Sequence, residues 1–407
     1  MTDHKIAYLT GEYPRATDTF IQREVAGLRA TGLTVETCSI RETSLEHLVG
    51  EEQKSEATRT FHVLKAALSP LTLLRSHLSN MRRNPRRCFS AFALALKTRQ
   101  PGMKGLLYQM VYLAEASVLA RHMHRKGITH LHNHIAMASG TVAMLASEIS
   151  GIPYSFTLHG PDIFYEAHRW RLDEKLKRAQ FVACISHFAR SQAMSFASSE
   201  NWSKFHIVHC GVDPDRYQNT RERSGQNLLF VGRLAAVKGL PVLFEALDQL
   251  RPTHPDLTVT LIGDGAERTA LEKTAPSNVK FVGYKSQSEV AQALEAHDML
   301  ILPSFAEGLP VVLMEALASE MPVVATRIAG VSELVDDAML VAPGDAQQLA
   351  QRIKDLLHNP VHATALAKQG RAKVLKDFDA AKEAKWLSQI IIDHHNHKTP
   401  GLRPEDK

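Results

Sequence analysis

The chain has 407 residues, the length expected of two domains of ordinary size. A hydrophobic fraction of 44%, a charged fraction of 22% and a net charge of +5 are those of a soluble globular protein, and no run of about twenty apolar residues exists to span a membrane. The four cysteines are widely spaced and the N-terminus lacks the apolar core of a signal peptide, which argues against a disulfide framework or a zinc site and predicts a reducing, cytoplasmic compartment.

Short apolar runs alternate with helical patterns along the chain, which is typical of parallel α/β architecture. The runs predicted to be strands in the first half are Lys5–Gly11, Thr34–Ile40, His130–His134, Tyr154–His159, Phe181–Ile185 and His206–His209. A long helical insertion is predicted from about 61 to 126, broken near Asn84-Pro85 and Gln100-Pro101-Gly102.

The insertion includes a segment, residues 57–114, that contains no Asp or Glu. Its ten cations are Arg59, Lys65, Arg75, Arg82, Arg83, Arg86, Arg87, Lys97, Arg99 and Lys104, with leucine and phenylalanine between them. A nucleic acid partner is not favoured, because aromatic residues are few and no DNA-binding motif is present. A basic helical hairpin on an anionic membrane surface fits better, and packing of the leucines into a core is the alternative.

Three loops of the first half carry polar motifs. Gly11-Glu12-Tyr13-Pro14 follows the first strand, and Thr17-Asp18-Thr19-Phe20-Ile21 begins a helix. The strand His130–His134 places alternate histidines on one face, but no carboxylate or cysteine stands at ligand spacing, so no metal is predicted and His134 remains a possible cleft residue. His159 ends a strand before Gly160-Pro161, where Asp162 could orient it.

The boundary between the halves is predicted near 211–217, a segment that contains Asp213-Pro214-Asp215. This Asp-x-Asp form can hold a metal in other proteins, but its position in a linker favours turn formation. The strands predicted after it are Asn227–Val231, Thr258–Ile262, Val279–Val282, Met299–Leu302, Val323–Thr326 and Met339–Val341. A last amphipathic helix is predicted over 380–394, followed by a disordered tail, 395–407.

Two cations follow the first strand of the second half, in Gly232-Arg233-Leu234 and Lys238-Gly239. A guanidinium and an ammonium at a strand-to-helix turn can neutralise a diphosphate leaving group without a metal. The alternative is a pair of ordinary surface cations.

Two carboxylates, Glu307 and Glu315, flank a Gly-Leu-Pro break between a buried strand and an apolar helix whose first turn is predicted to contain Pro310. The helix N-terminus between them can seat a phosphate, and the acids can accept hydrogen bonds from hydroxyls on either side. This pattern indicates a nucleotide-sugar site. A solvated loop acid and an ordinary helix residue are the alternative.

These motifs resemble a known family, and they occur in its order along nearly the whole chain. The stretch from Glu307 to Ala316 closely resembles the signature of the retaining GT-B glycosyltransferases of family 4, and Gly-Arg-Leu-x-x-x-Lys-Gly matches the family pattern completely. The segment from Tyr13 to Ile21 resembles the opening of exopolysaccharide and colanic-acid-type transferases.

The resemblance implies an α/β GT-B fold, in which two Rossmann-like domains face a central cleft and the C-terminal helix crosses back to the N-terminal domain. The acceptor-side domain would comprise residues 1–211 with the returning helix, and the nucleotide-sugar domain residues 212–379. The implied donor-binding residues are Gly232, Arg233, Lys238, Gly263, Gly283, Glu307, Gly308, Leu309 and Glu315. The implied catalytic residues are His159, Arg233, Lys238 and Glu307, and the possible acceptor or cleft residues are Gly11, Thr19, His134 and Asp162.

By the same resemblance, Glu315 holds the ribose, Glu307 meets the donor sugar and His159 lies beside that sugar. The expected activity is retaining, metal-independent transfer from a nucleotide-diphosphate sugar, with no cofactor, to a lipid-linked saccharide bound for a surface polysaccharide. The expected location is the inner face of the cytoplasmic membrane. Two other functions remain open: a nucleotide-sugar epimerase of the same fold, which would need paired carboxylates in the first domain, and a non-catalytic nucleotide-sugar-binding protein.

Overall fold

A computed structural model of the chain describes residues 4–15, 18–44, 48, 51–218, 221, 223 and 225–403. These residues form two compact units. One unit extends to Val208 and resumes at Ala381, and the other is His209–Ala380. Within the described part of the chain, no helix combines the length and the apolarity that crossing a bilayer requires.

The first unit is built on a seven-stranded parallel sheet with the order β3-β2-β1-β4-β5-β6-β7. Its strands are β1 (Lys5–Glu12), β2 (Thr34–Arg41), β3 (Phe61–His62), β4 (His130–His134), β5 (Tyr154–Leu158), β6 (Val182–Cys184) and β7 (Phe205–Ile207). The sequence predicts all of them except β3, where it places the start of the helical insertion. That part of the prediction is wrong, because a strand of two residues has no readable period and is defined by its pairing with β2.

Among the described residues of the first unit, ten α-helices precede the domain boundary. They are α1 (Thr19–Ala30), α2 (Glu51–Arg59), α3 (Val63–Ala67), α4 (Pro70–Arg83), α5 (Pro85–Thr98), α6 (Gly102–Lys126), α7 (Ala138–Ser150), α8 (Asp162–Tyr165), α9 (Leu172–Arg178) and α10 (His187–Ser195). Both predicted breaks of the insertion are present, and Asn84 caps α5 by accepting a hydrogen bond from the Arg87 amide at 3.2 Å. Thr17, predicted to begin a helix, lies outside the described residues.

The second unit contains a six-stranded parallel sheet with the order β10-β9-β8-β11-β12-β13. Its strands are β8 (Asn227–Val231), β9 (Thr258–Ile262), β10 (Val279–Gly283), β11 (Met299–Leu302), β12 (Val323–Thr326) and β13 (Leu340–Val341). Its helices are α11 (Leu240–Leu250), α12 (Arg268–Thr274), α13 (Gln287–Ala296), α14 (Val311–Ala318), α15 (Val331–Leu334), α16 (Ala346–His358) and α17 (Pro360–Asp377). Four strands have the predicted bounds, because each is a short run rich in apolar or β-branched residues.

The last helix, α18 (Ala380–His395), packs on the first unit, which confirms the predicted return. Leu387, Ile390 and Ile391 join the core cluster of the first unit, and the Trp386 indole donates to the Ile207 carbonyl at 3.0 Å. An amphipathic helix with no strand after it can bury its apolar face in this way.

The predicted disorder of the tail is wrong as far as Arg403. The Arg403 side chain is buried and its guanidinium pairs with Glu383 of α18. A buried charge requires such a partner. A local sequence pattern does not predict a partner that lies twenty residues away. Residues 404–407 lie outside the described residues.

Candidate active site

Three glycines follow neighbouring strands of the second sheet, at its carboxyl edge. Gly232 follows β8, Gly263 follows β9 and Gly283 ends β10. Gly263 has a φ of +133°, and a Cβ there would lie 1.9 Å from the Gly232 carbonyl oxygen. Its amide donates to the Gly283 carbonyl at 2.8 Å. Close packing of the three loops is therefore a sufficient reason for a glycine at position 263. The loops lie at the edge where open α/β sheets bind ligands.

The turn after β8 positions the two predicted cations. Gly239 has a φ of +64°, and a Cβ there would lie 2.1 Å from the Pro303 carbonyl, so glycine is required where this turn passes the loop after β11. Arg233 is exposed, and its guanidinium has no hydrogen-bond partner among the described residues. Lys238 donates to Glu307 Oε1 at 2.6 Å. The structure thus joins two motifs that lie 69 positions apart.

Only one of the two Glu307 carboxylate oxygens is hydrogen-bonded in the described structure. Oε1 accepts from Lys238 and also from the Ser304 hydroxyl at 2.6 Å. Oε2 has no hydrogen-bond partner within the described part of the chain. The Glu307 side chain is 11% exposed, so its orientation is fixed while one oxygen can accept a hydroxyl of a ligand.

Glu315 lies in α14, which begins at Val311. The helix starts one residue later than a first-turn proline predicts, because Pro310 occupies the N-cap position with a ψ of 118° and contributes no side-chain cap. The first amide groups of α14 therefore lack a capping side chain. Glu315 is buried, and its Oε1 accepts from the Tyr217 hydroxyl at 2.8 Å.

Tyr217 is a site residue that the sequence analysis did not identify. It is buried, and its carbonyl accepts from the Arg371 guanidinium at 2.8 Å. The signal lies in the boundary segment, where the family pattern Gly-Val-Asp-x-x-x-Phe places a phenylalanine and this chain has a tyrosine. Asp213 of the same segment accepts from the Asp215 amide at 3.2 Å and caps a short 3-10 turn, which confirms the turn assignment of Asp-Pro-Asp.

The other predicted positions lie at the ends of elements. The Gly308 carbonyl accepts from the Gly330 amide at 3.1 Å, and Leu309 is buried beside it. In the first unit, Gly11 is exposed near the end of β1, Thr19 is half-buried at the start of α1, and Asp162 is exposed at the start of α8.

His159 ends a chain of polar side chains in the first unit. His159 Nε2 lies 2.5 Å from His134 Nε2, and His134 Nδ1 lies 2.5 Å from the Tyr8 hydroxyl. Tyr8 donates to Glu24 Oε1 at 2.6 Å. His134 is fully buried, so it contacts His159 from the protein interior and does not line a cleft. Asp162 makes no hydrogen bond to His159 in the described structure, and the suggestion that it orients His159 is wrong.

The protons along this chain can be assigned. The pKa of His134 lies well below its usual range and that of His159 falls to about 4, because burial disfavours the charged imidazole. Tyr8 gives its single proton to Glu24, so His134 Nδ1–H must donate to the Tyr8 oxygen. His134 Nε2 then accepts from His159 Nε2–H, and His159 Nδ1 carries no proton.

Protonation of Glu24 reverses this order. Burial raises the pKa of Glu24 to about 7, although the hydrogen bond from Tyr8 opposes the shift. A protonated Glu24 donates to Tyr8, Tyr8 donates to His134 Nδ1, and His134 Nε2–H donates to His159, whose proton then resides on Nδ1. His159 Nδ1 is therefore a hydrogen-bond acceptor above about pH 7 and a donor below it.

The same region contains a possible metal-ligand group that the sequence analysis did not find. Helix α1 brings the Glu24 carboxylate to His132 and His134, and the three ligand atoms lie within 4.8 Å of one another. His132 is already bonded to the Ser155 and Thr157 hydroxyls at 2.8 and 2.9 Å. A metal ion would have to displace bonds that now satisfy each imidazole, so the residues fit a hydrogen-bonded network better.

The hydrogen bonds of Tyr8 with Glu24 and His134 lead to a prediction about how activity depends on pH. If His159 lies beside the donor sugar, as the resemblance implies, activity should rise as the pH increases through about 7, because ionised Glu24 leaves His159 Nδ1 without a proton. Tyr8→Phe should remove this inflection from the pH profile of kcat while nucleotide binding persists. Tyr154→Phe is the matched control, since the Tyr154 hydroxyl is also buried but donates to the Lys175 carbonyl. The same inflection in Tyr8→Phe would contradict the assignment.

Comparison with known proteins identifies the class. The chain matches the family described as Glycosyl transferases group 1 over residues 213–373 and the one described as Glycosyltransferase Family 4 over residues 84–216. A Bacillus subtilis protein that carries the name teichuronic acid biosynthesis glycosyltransferase TuaC is 31% identical over 288 residues, which cover 66% of this chain and 70% of the relative. The chain belongs to the glycosyl transferases group 1 family and is a glycosyltransferase.

A further relative is named as a glycosyltransferase, and solved structures share the fold. WcaL of Escherichia coli, named for colanic acid biosynthesis, is 24% identical over 95% of this chain and 99% of its own. Sucrose-phosphate synthase from Thermosynechococcus elongatus has a TM-score of 0.74 at 19% identity, covering 97% of this chain and 100% of its own. Anabaena HepE, determined in complex with UDP-glucose, has a TM-score of 0.72 at 18% identity, covering 96% and 99%. The predicted GT-B fold is confirmed.

Proposed function

We propose that this glycosyltransferase transfers a sugar, with retention and without a metal, from a nucleotide-diphosphate donor to a lipid-linked saccharide in polysaccharide biosynthesis. The observation that carries the proposal is the contact of Lys238 with Glu307 at the sheet edge that also carries Arg233 and α14. A diphosphate between Arg233, Lys238 and the uncapped start of α14 would have its charge neutralised by the protein itself.

The donor is divided between the two carboxylates in this proposal. Glu315, buried inside α14, accepts from the ribose, and the open oxygen of Glu307 accepts from the donor sugar. His159 stabilises charge that develops at the anomeric carbon. The chain offers no obvious nucleophile for a double displacement, which supports transfer on one face of the sugar.

The comparisons support the chemical classes in the proposal. HepE was determined with UDP-glucose, which favours a nucleotide-sugar donor. TuaC, WcaL and the Erwinia amylovora protein AmsK are named for teichuronic acid, colanic acid and amylovoran biosynthesis, which favours a polysaccharide product.

The test is incubation of the protein with UDP-, GDP- and ADP-sugars, with and without lipid-linked saccharide extracts. We expect nucleoside diphosphate release from one donor and a glycosylated lipid that retains the anomeric configuration. Interconversion of sugars without an acceptor would identify an epimerase instead. Binding without turnover of any donor would identify a nucleotide-sugar-binding protein.

The acid-free segment also supports peripheral attachment to the inner face of the cytoplasmic membrane. Helix α4 buries Ser76 and Asn80, and the Asn80 amide donates to the Ser117 carbonyl of α6 at 2.9 Å. Leu71, Leu74 and Leu78 of this helix are exposed, so core packing does not explain these three leucines. The exposed apolar side chains of α4, α5 and α6 are Leu71, Leu74, Leu78, Met81, Phe89, Phe92, Leu96, Met103, Leu107, Tyr108 and Val111. Such contiguous exposure is typical of an interaction surface.

The charges of this surface match an anionic leaflet. Arg82, Arg83 and Arg86 are exposed and have no hydrogen-bonded acid among the described residues, and Arg87 contacts the Glu148 carbonyl at 3.4 Å. Each Lys or Arg near an anionic bilayer contributes about 1 kcal/mol. Four arginines and the outward apolar stripes together are enough for attachment without a lipid anchor.

Flotation with liposomes tests this attachment. Wild-type protein should float with phosphatidylglycerol liposomes at low salt and much less at high salt, because salt screens the arginines. Replacing Arg82, Arg83, Arg86 and Arg87 by Gln should abolish flotation at low salt.

The matched control removes the same charge from the second unit, by Gln substitution of the exposed Lys273, Lys280, Lys368 and Lys373. This variant should float like the wild type. Failure of the wild-type protein to float with anionic liposomes at low salt would refute the attachment and favour a soluble acceptor.

A further inference from the structure

A cavity of about 470 Å³ lies in the first unit, and none of its lining residues belongs to the predicted site. This volume is that of ordinary small-molecule sites. The lining comes from Arg41 at the end of β2, from the first half of α6, from the start of α7 and from the turn Arg169–Arg171. The first, third and fourth of these segments follow β2, β4 and β5, so the cavity lies at the carboxyl edge of the sheet, where open α/β folds bind ligands.

The charged lining is entirely basic. Its four cations are Arg41, Lys104, Arg169 and Arg171, and no Asp or Glu lines the cavity. Arg41 and Lys104 have no hydrogen-bonded acid in the described structure. The Lys104 ammonium lies 6.0 Å from the Tyr108 ring. Two cations without a hydrogen-bonded acid beside an open cavity favour an anionic ligand.

The other two cations are held in place by acids outside the cavity. Arg171 makes a two-point contact with Asp173, at 2.9 and 2.7 Å, and donates to the Lys97 carbonyl at 3.0 Å. Arg169 pairs with Glu166 at 2.5 Å and lies 5.4 Å from the Trp170 ring. These contacts fix the two guanidinium groups without placing a carboxylate in the cavity.

The Glu115 carboxyl group interacts with Arg41 from a buried position. Glu115 is 3% exposed, and burial raises its pKa to about 7 while Arg41 opposes the shift. Its Oε2 is buried with no hydrogen-bond partner. Burial thus disfavours the charged form of Glu115 and weakens its ability to neutralise Arg41.

Polar and aromatic side chains complete the walls. The Gln109 amide donates to the Thr98 hydroxyl at 3.0 Å, and both side chains are buried. Tyr108, Tyr112 and Trp170 add three aromatic rings, whose apolar faces can pack on the C–H face of a sugar while their polar tips bond its hydroxyls.

The cavity adjoins the apolar surface of α6. Lys104 and Tyr108 line the cavity, while Met103, Leu107 and Val111 of the same helix are exposed, Met103 by 79%. A ligand with an anionic head in the cavity would thus have an outward apolar stripe beside it for a hydrocarbon chain.

We propose that this cavity binds the diphosphate head of a lipid-linked saccharide acceptor, with Arg41 and Lys104 on the phosphates, the aromatic rings on the first sugar and the α6 stripe against the lipid. This assignment deepens the proposed function and rests on it, because it names the acceptor class and its site. A free phosphate and an anionic phospholipid share part of this chemistry, and the test separates them.

The test is calorimetric titration of the full chain with geranyl diphosphate, inorganic pyrophosphate and a short-chain phosphatidylglycerol. Geranyl diphosphate should bind more tightly than the other two. The double variant Arg41→Gln/Lys104→Gln should raise its Kd about tenfold or more, because two charge-assisted contacts are lost. Lys368→Gln/Lys373→Gln removes the same charge from exposed positions of the second unit and should leave the Kd unchanged.

A further control excludes binding at the predicted donor site. Arg233→Ala should leave the geranyl diphosphate Kd unchanged, and loss of binding in that variant would overturn the proposal. Equal affinity for pyrophosphate or for phosphatidylglycerol would also overturn it, as would an unchanged Kd in the double variant. Release of nucleoside diphosphate from a donor sugar is measured separately, so a failed donor assay would reject the proposed function while the titrations still decide the cavity.

Discussion

Arg233→Ala should lower the turnover of sugar transfer by about two to three orders of magnitude, the usual effect of removing one group that stabilises developing charge. Arg233 is exposed and its guanidinium has no hydrogen-bond partner among the described residues, so truncating the side chain should not destabilise the fold. The measurement is kcat and KM with the donor found in the nucleotide-sugar panel. Lys280→Ala, at an exposed position on β10, is the matched control and should behave as the wild type.

Lys238→Ala should be more damaging than Arg233→Ala. Lys238 both faces the proposed diphosphate and donates to Glu307 Oε1 at 2.6 Å. Without the ammonium, a carboxylate that is 11% exposed would lose its counter-ion and repel the leaving group. Equal or smaller loss in Lys238→Ala would show that the pair does not act in the reaction.

A metal chelator provides a second test of the proposal that Arg233 and Lys238 neutralise the diphosphate. If Arg233 and Lys238 supply the positive charge, EDTA should leave turnover nearly unchanged. Strong inhibition by EDTA that manganese reverses would reject the metal-independent mechanism.

Glu315→Gln and Glu307→Gln should have different effects. Glu315→Gln should raise the Kd of every nucleotide, including the free diphosphate product, about tenfold, because a charge-assisted bond to ribose is lost. Glu307→Gln should leave nucleotide affinity nearly intact and lower kcat, because its open oxygen faces the sugar in our proposal. Thermal shift with the nucleoside diphosphate and kcat with the donor sugar are the two readouts.

Tyr217 provides the control for the first of these variants. Tyr217→Phe keeps the ring and removes the hydroxyl that donates to Glu315 Oε1, so it should change nucleotide affinity only a few-fold. An equal loss of nucleoside diphosphate affinity in Glu307→Gln and Glu315→Gln would contradict the division of roles.

The sequence by itself determined most strands of the second unit and indicated its candidate site residues. The strands β8, β9, β11 and β12 have the predicted bounds, because each is a short run rich in apolar or β-branched residues. The cations Arg233 and Lys238 and the acids Glu307 and Glu315 were identified because each lies in a local pattern beside a strand or a helix start.

The tertiary structure alone decided which groups meet. The Lys238–Glu307 contact spans 69 positions, Tyr217–Glu315 spans 98 and Tyr8–His134 spans 126. A hydrogen bond between distant residues depends on how strands and loops pack, and it leaves no periodicity in the sequence. For the same reason, the sequence analysis did not identify Glu24, the short strand β3 or the partner of Arg403.

The orientation of α4 shows the same limit in a strongly patterned helix. Its leucines recur at helical spacing, but that spacing does not say which face is buried. The Asn80 amide, satisfied by the Ser117 carbonyl and hydroxyl of α6, lies on the inner face of α4, and Leu71, Leu74 and Leu78 lie on the outer one. Periodicity fixes which side chains share a face, whereas the neighbouring helix decides whether that face meets protein or solvent.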